Sequence, residues 1–235
     1  MEKKYKWILA IIAVVGWSVI GYFVWSYLQK PKKTTKIYGQ AEYDTLVQPT
    51  HYKKIPLKSF KYLVVKCDVG PIKVTIEADE NPAIQFHQTF MKYTEMEYKG
   101  DTLVIHTLKS PQSTKENPIY KQIYIYTPDI KYYQAEATQT FFSYLKIDQL
   151  KVDNRSSYMR FHSCSIDKLH LTTNKSCNFV LDNDTFFGRI RAEINPNSAF
   201  TCLGYVEKEL ILKSKDFTNI TIGEGLFKKV KVEKW

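Results

Sequence analysis

Two aspartates at equivalent positions of a sequence repeat are the residues best placed to do chemistry. Asp148 lies in Ile-Asp-Gln-Leu-Lys-Val, and Asp167 lies 19 residues later in Ile-Asp-Lys-Leu-His-Leu. If the repeats stack as neighbouring strands, the carboxylates lie near the inter-strand spacing of about 4.8 Å and form an acid/base or cation-binding pair. The next repeat carries Gly188 there, however, and Lys168 and Arg189 lie beside the pair. We therefore predict solvated turn residues, and keep the carboxylate pair as the alternative.

The other reactive side chains show no spacing that is typical of a metal site or a catalytic centre. The histidines are dispersed, and none of the four cysteines belongs to a CxxC or CxxH pair. We predict no metal, no cofactor and no catalytic residues, and hence a protein that is not an enzyme. The cysteines are interpreted as buried thiols, with a pairing of Cys164 and Cys177 left open.

Tyrosine is abundant, with 17 residues. Four of them form a candidate contact surface: Tyr124, Tyr126, Tyr132 and Tyr133. Tyr124 and Tyr126 flank an apolar residue and are expected on the outer face of a strand, where exposed rings often contact proteins or glycans. The alternative is that these rings only pair across strands, which tyrosine favours.

A repeat of about 20 residues positions these side chains. Its apolar positions form three ladders: Leu150, Leu169, Ile190, Leu210 and Val230; Met159, Phe179, Phe200 and Ile220; Phe161, Leu181, Cys202 and Ile222. Apolar and polar residues alternate around them, as in strands. A fixed period of this size indicates units that bury their apolar face only by stacking on a neighbour. We predict an all-β, β-solenoid (β-helix-like) fold with rungs of about 20 residues over 131–235.

The preceding part of the chain is less regular. Short strands are predicted over 58–130, with a hairpin at Lys99-Gly100-Asp101. The polar, proline-containing segment 29–57 is predicted to be a tether.

Residues 7–28 form an uncharged run, WILAIIAVVGWSVIGYFVWSYL. A helix of this length spans about 33 Å, which matches a hydrocarbon core of about 30 Å. Its flanks carry residues that favour the membrane interface: Trp7, Trp25, Tyr27, Lys30, Lys32 and Lys33. We predict an uncleaved transmembrane α-helix, preceded by a basic flank at 1–6, with the lipid bilayer as its partner.

The net charge of +10 is unevenly distributed along the chain. Residues 1–36 hold seven lysines and one glutamate, so the rest carries only +4. That balance is typical of a mixed surface and argues against nucleic-acid binding. Lysines flank the helix on both sides, but a first helix near the amino terminus usually exports the domain on its C-terminal side. We expect a single-pass inner (cytoplasmic) membrane protein with a periplasmic C-terminal domain; a cytoplasmic domain is the alternative.

Three segments resemble the auto-transporter adhesin head GIN domain family. Residues 60–77 are laid out like its opening hairpin, Gly100-Asp101-Thr-Leu-Val-Ile resembles its "gg-x-L-x-I" strand, and Ile123-Tyr-Ile-Tyr-Thr-Pro-Asp-Ile resembles its "v-x-v-x-x-P-x-l" segment. The resemblance covers nearly all of 58–232. It implies a bacterial envelope β-solenoid with an adhesin-like role, and it brings no catalytic residues.

These features predict a membrane-anchored bacterial envelope protein that binds or scaffolds without catalysis. The expected partners are another envelope protein, a glycan, or a second copy of the chain at the solenoid edge. One alternative is a glycan-active envelope enzyme, which needs a clustered acid pair in a groove. The other is a cytoplasm-facing membrane scaffold, whose lysine cluster would contact anionic lipid.

Overall fold

The computed structural model describes residues 52–68, 71–108, 121–155, 157–174, 176–216 and 218–233, which are predominantly strand. The first sheet contains, in spatial order, β1 (Tyr52–Pro56), β4 (Ala83–His87), β7 (Gln122–Thr127), β3 (Ile72–Ala78), β9 (Thr138–Ser143), β11 (Ser157–His162), β13 (Cys177–Leu181), β15 (Ala199–Cys202) and β17 (Ile220–Ile222). The second contains β18 (Val230–Glu233), β16 (Tyr205–Ser214), β14 (Phe186–Ile194), β12 (Ser165–Thr173), β10 (Lys146–Asn154), β8 (Tyr132–Ala135), β2 (Tyr62–Cys67), β6 (Thr102–Thr107) and β5 (Thr94–Lys99). The short helix α1 (Gln88–Met91) and a 3₁₀ helix (Glu224–Lys229) complete the described elements. The predicted β class is thus confirmed.

From β7 onward, consecutive strands alternate between the two sheets. From β8 to β16, each strand pairs in parallel with the strand two places later in the sequence, as β10 does with β12 and β12 with β14. β7 pairs in parallel with β3 instead. Antiparallel pairs lie at one end of each sheet, between β1 and β4, β4 and β7, and β5 and β6. Both sheets are therefore mixed.

The predicted register of the repeat is confirmed. Leu150, Leu169, Ile190, Leu210 and Val230 are successive register partners in the second sheet. The ladders that begin at Met159 and Phe161 are aligned in the same way in the first sheet. Identical positions of successive repeats consequently stack on one another, and the apolar pattern of the sequence becomes a continuous row of side chains.

The core contains these apolar rows, most members of which are fully buried. Burial of one such Leu, Ile or Phe side chain contributes about 1.5–3 kcal/mol. Phe161 lies at the centre of an aromatic stack: its ring is parallel to that of Phe142, with 4.4 Å between centroids, and meets that of Phe187 edge-on at 6.3 Å.

Two predictions for the first half of the domain have different outcomes. β5 and β6 form the predicted antiparallel hairpin, with Gly100 at the turn in a left-handed conformation (φ 61°). The segment resembling the family's opening hairpin, in contrast, does not form one. Its two strands, β2 and β3, belong to different sheets, and each is paired in parallel with other strands.

The predicted membrane anchor lies outside the described residues. This applies to the helix at 7–28, to the interface residues Trp7, Trp25, Tyr27, Lys30, Lys32 and Lys33, and to the tether up to residue 51. The end of the predicted tether forms β1, where the Tyr52 ring meets that of His87 edge-on at 5.4 Å. In the part of the chain that is described, no helix has both the length and the apolar character to span a bilayer.

Candidate functional site

An open groove on the outer face of the second sheet brings both sequence-predicted aspartates close to two exposed aromatic rings. The groove crosses the beginnings of β10, β12, β14 and β16 and has a volume of about 580 Å³. Asp148, Asp167, Phe186, Tyr205 and Glu207 are among its lining residues. Its volume lies within the range of small-ligand sites in proteins.

The first residues of the four strands form one row along the groove. Lys146, Ser165, Phe186 and Tyr205 are successive register partners. The row faces outward because the next residue of each strand points into the core, as the buried Phe187 does. Phe186 and Tyr205 therefore remain 58% and 51% exposed.

The Tyr205 ring is held by two neighbours. Its centroid lies 5.8 Å from that of Phe186, with the ring planes tilted by 53°. The Lys229 ammonium lies 4.6 Å from the Tyr205 centroid, a cation–π distance, and also donates a hydrogen bond to the Val206 carbonyl oxygen. The rings thus form a pre-arranged apolar surface that solvent covers.

Asp148 and Asp167 lie side by side on adjacent strands. Each comes directly after a register partner, Ile147 in β10 and Ile166 in β12. Both aspartates are exposed, and Asp167 Oδ1 lies 3.7 Å from Lys208 Nζ. They belong to strands rather than to turns, so the predicted solvation is found while the predicted turn position is wrong.

Gly188 is the residue of β14 that corresponds to Asp148 and Asp167. The register between β14 and β16 shifts at this position. Glu207 and Lys208 of β16 both face Gly188, which makes a β-bulge. The Asp167 carboxylate fills the space beside Gly188 that a Cβ would need. As a result, no side chain from β14 separates Asp167 from Glu207 across the groove.

The four tyrosines of the candidate contact surface do not form one surface. Tyr133 is fully buried, its hydroxyl shares a 2.7 Å hydrogen bond with Thr140 Oγ1, and burial raises the pKa of the phenol. Its inclusion was wrong, because strand alternation turns Tyr133 inward when Tyr132 faces outward. Tyr124 and Tyr126 are half-buried on the outer face of the first sheet, whereas Tyr132 lies on that of the second.

Packing accounts for much of the burial of the outward-facing tyrosines. The Tyr126 hydroxyl donates to Gln85 Oε1 at 3.1 Å, and the Lys54 ammonium lies 4.2 Å from its ring centroid. The Tyr132 hydroxyl donates to Gln134 Oε1 at 3.2 Å. That bond lies within β8, but the Tyr132 ring also meets the ring of its register partner Tyr62, with 6.4 Å between centroids. The contacts of Tyr126 and this ring pair match the cross-strand alternative for tyrosine.

A second polar cluster, which the sequence did not indicate, joins His162, Asp182 and Asp184 at one corner of the repeats. One ligand-type atom from each lies within 4.8 Å of the others. Asp182 Oδ2 already accepts a 2.7 Å hydrogen bond from Arg160 Nε, and Asp184 Oδ2 accepts one of 2.8 Å from Ser163 Oγ. Because the guanidinium supplies the positive charge at Asp182, we interpret the cluster as an ion-pair network.

The environment of Asp184 lowers the pKa of its carboxyl. Burial by itself would raise that pKa, but hydrogen bonds from the backbone and hydroxyl of Ser163 and the nearby His162 outweigh burial. The His162 Nδ1 atom lies 2.8 Å from Asp184 Oδ2. This carboxylate therefore ties the β11 corner to the loop after β13.

No disulfide joins Cys164 and Cys177, which answers the question left open by the sequence. The Cys164 thiol donates instead to the carbonyl oxygens of His162 and Phe142, at 3.3 and 3.4 Å. Burial raises the pKa of Cys164 to about 11. A thiol in this state packs as a small apolar side chain.

The aromatic part of the groove was not predicted from the sequence. Phe186 and Tyr205 occupy outward positions, and only the alignment of the repeats by their first strand residues would have shown that the two rings are neighbours. Glu207 could not be found in this way, because the bulge shifts its register.

This chain is similar to several proteins of known structure. Neither a protein-family model nor a curated protein matches the sequence. Three solved structures, each named a "putative adhesin", align with 78% of this chain. They come from Bacteroides fragilis (14% identity, 94% of that chain, TM-score 0.43), Parabacteroides merdae (14%, 91%, 0.42) and Parabacteroides distasonis (12%, 92%, 0.44).

Proposed function

We propose that the chain is a single-pass protein of the bacterial inner membrane, and that its periplasmic β-solenoid domain binds an envelope ligand without catalysis. The uncharged run at 7–28 supports the anchor. The alternation of strands between two sheets, with stacked apolar ladders, supports a solenoid over 131–235. The resemblance of 58–232 to the GIN domain family supports the envelope location and an adhesin-like role.

The observation that carries the binding function is the groove across β10, β12, β14 and β16. Two exposed rings and three carboxylates converge there on one face of a sheet. Phe186 and Tyr205 are exposed side by side, and contiguous exposed apolar surface that is bordered by polar groups often marks a binding site.

The same groove supports binding rather than hydrolysis. A glycoside hydrolase needs one carboxyl that stays protonated, which is normally achieved by an apolar pocket around the acid. Asp148 and Asp167 are both exposed instead, and Asp167 is paired with Lys208. Such carboxylates are suited to accept hydrogen bonds from a ligand.

The location is tested by protease treatment of spheroplasts that express the full chain. We expect the domain after Lys36 to be digested while a cytoplasmic marker protein in the same cells stays intact. Alkaline phosphatase fused to the C-terminus, which is active only in the periplasm, gives a second readout if the folded domain resists protease. Protection until detergent is added, with an inactive fusion, would favour the cytoplasm-facing scaffold.

Binding is tested with the full chain in phosphatidylcholine nanodiscs, which stay in the supernatant unless they attach to sedimenting envelope fragments. We expect the wild-type chain to sediment and the double variant Phe186→Ala/Tyr205→Ala to stay in solution. Tyr62→Ala is the matched control, because Tyr62 is an exposed ring on β2 of the same sheet, away from the groove lining. Loss of sedimentation in all three proteins, or in none, would contradict a binding role for the groove.

A further inference from the structure

The groove has the chemistry of a sugar-binding site. We infer that it binds a segment of a neutral polysaccharide, with a pyranose ring against Phe186 and Tyr205 and its hydroxyl groups donating to the carboxylates of Asp148, Asp167 and Glu207. This inference rests on the proposed binding function and names the ligand class.

The aromatic pair supplies the apolar part of recognition. A pyranose carries its C–H bonds on the faces of the ring, and those faces pack on the negatively polarised face of an aromatic ring. Tyr205 contacts both the Phe186 ring and the Lys229 ammonium, which hold its side chain in place. Little side-chain entropy is therefore lost when a ligand covers it.

The carboxylates supply the polar part of recognition. Asp148, Asp167 and Glu207 lie on three different strands of the groove, and the Ser165 hydroxyl adds an acceptor and a donor. Hydrogen bonds from hydroxyl groups to ionised carboxylates are roughly twice as strong as those between neutral groups. Acceptors on three of the four strands of the groove therefore suit a ligand that presents several hydroxyl groups along its length.

The charges around the groove favour a neutral ligand. The three carboxylates are accompanied by three ammonium groups: Lys146 in the lining, Lys208 beside Asp167, and Lys229 beside Tyr205. The carboxylates would repel a polyanionic chain, and the lysines would repel a polycationic chain. A neutral chain that is rich in hydroxyl groups is repelled by neither.

The dimensions also fit a polysaccharide. Parallel strands are about 4.8 Å apart, which is comparable with the length of one sugar unit in an extended chain. The groove runs across the strands and is open to solvent, and the Asp167 carboxylate takes up the space left by the missing side chain at Gly188. Because the groove is open rather than enclosed, it can hold the interior of a polymer as well as its end.

The test is isothermal titration calorimetry of the full chain in phosphatidylcholine nanodiscs, which contain no sugar headgroup. The neutral probes are cellohexaose, chitohexaose, mannohexaose and maltohexaose. The charged probes are the deacetylated, cationic form of chitohexaose and hexagalacturonate. We expect at least one neutral hexasaccharide to bind, and we expect both charged probes to bind with an affinity lower by roughly tenfold or more.

The variants assign binding to the groove. Phe186→Ala and Tyr205→Ala should each lower the affinity for the neutral hexasaccharide by about tenfold. Tyr205→Phe retains the ring and should bind like the wild type, as should the control Tyr62→Ala. No binding of any neutral probe, preference for a charged probe, or equal affinity of the Phe186→Ala variant would overturn the inference.

Failure of this inference can be distinguished from failure of the proposed function. If the double variant no longer sediments with envelope fragments but no neutral hexasaccharide binds, the groove binds a ligand of another class. If the wild-type chain does not sediment either, the binding function itself is contradicted.

Discussion

The carboxylate of Asp167 occupies the space that a side chain at position 188 would need. A Cβ placed on Gly188 would also lie 2.6 Å from the Asp167 carbonyl oxygen, which cannot swing away as a side chain can. Glycine at 188 thus allows β12 and β14 to approach here and allows the β-bulge opposite Glu207.

Gly188→Ala should therefore destabilise the domain. The extra atom meets backbone that is fixed by strand pairing, and overpacking of this kind usually costs about 1–3 kcal/mol. Urea denaturation of the full chain, monitored by the far-UV signal of the β-structure, measures the change in free energy of unfolding. Gly225→Ala is the control, because a Cβ there has no neighbour within 4 Å; its cost should stay below about 0.5 kcal/mol. Similar costs for both variants would contradict this role of Asp167.

Most of the strand pairing in the second half of the domain could be predicted from the sequence. The three apolar ladders repeat at nearly constant spacing, and parallel stacking of equal units leaves one register that buries all of them. The pairing of β2 and β3 could not be predicted in this way. Their alternation is compatible with a hairpin, and only long-range partners such as β6 and β9 decide otherwise.

The candidate site could be predicted only in part. Asp148 and Asp167 were found because they repeat in sequence, whereas Phe186 and Tyr205 share an aromatic character but no motif. The His162, Asp182 and Asp184 cluster depends on the conformation of the loop after β13, and a loop has no apolar alternation from which its conformation could be predicted. The positions of side chains in regular strands can therefore be predicted from the repeat, whereas those at corners and bulges cannot.

Phe161→Ala should be strongly destabilising. The ring is fully buried and stacks on Phe142 at 4.4 Å, so its removal leaves a cavity in the middle of the aromatic row. Loss of a buried phenylalanine costs about 3–5 kcal/mol. Phe227→Ala removes the same atoms from a ring that is 63% exposed, and we expect less than about 0.5 kcal/mol. Urea denaturation measures the free energy of unfolding of both variants. A small loss for Phe161→Ala would mean that the aromatic row is not packed as described.

Cysteine labelling should separate the thiols by burial. Burial raises the pKa of Cys164 to about 11 and that of Cys202 to about 12, and only the thiolate reacts with iodoacetamide. Cys67 is half-buried, so we expect it to be labelled first in the native chain at pH 8. Mass spectrometry of peptides locates the label. Cys67→Ser should abolish the early labelling, and native-state labelling of Cys164 or Cys202 at the same rate would contradict their burial.

The corner network should make stability depend on pH through Asp184. Its folded-state pKa is lowered, so its contribution is present above the unfolded pKa of about 4 and is lost as the pH falls through the folded value. The difference in free energy of unfolding between wild type and Asp184→Asn should therefore be largest near neutral pH and shrink below about pH 4. Ser163→Ala removes one of the hydrogen bonds that lower this pKa but keeps the backbone one, and it should give a smaller loss in the same pH window. A wild-type advantage that stays constant from pH 7 to well below the unfolded pKa would show that the carboxylate is not held in its charged form by Ser163 and His162, and the corner would then owe its order to packing alone.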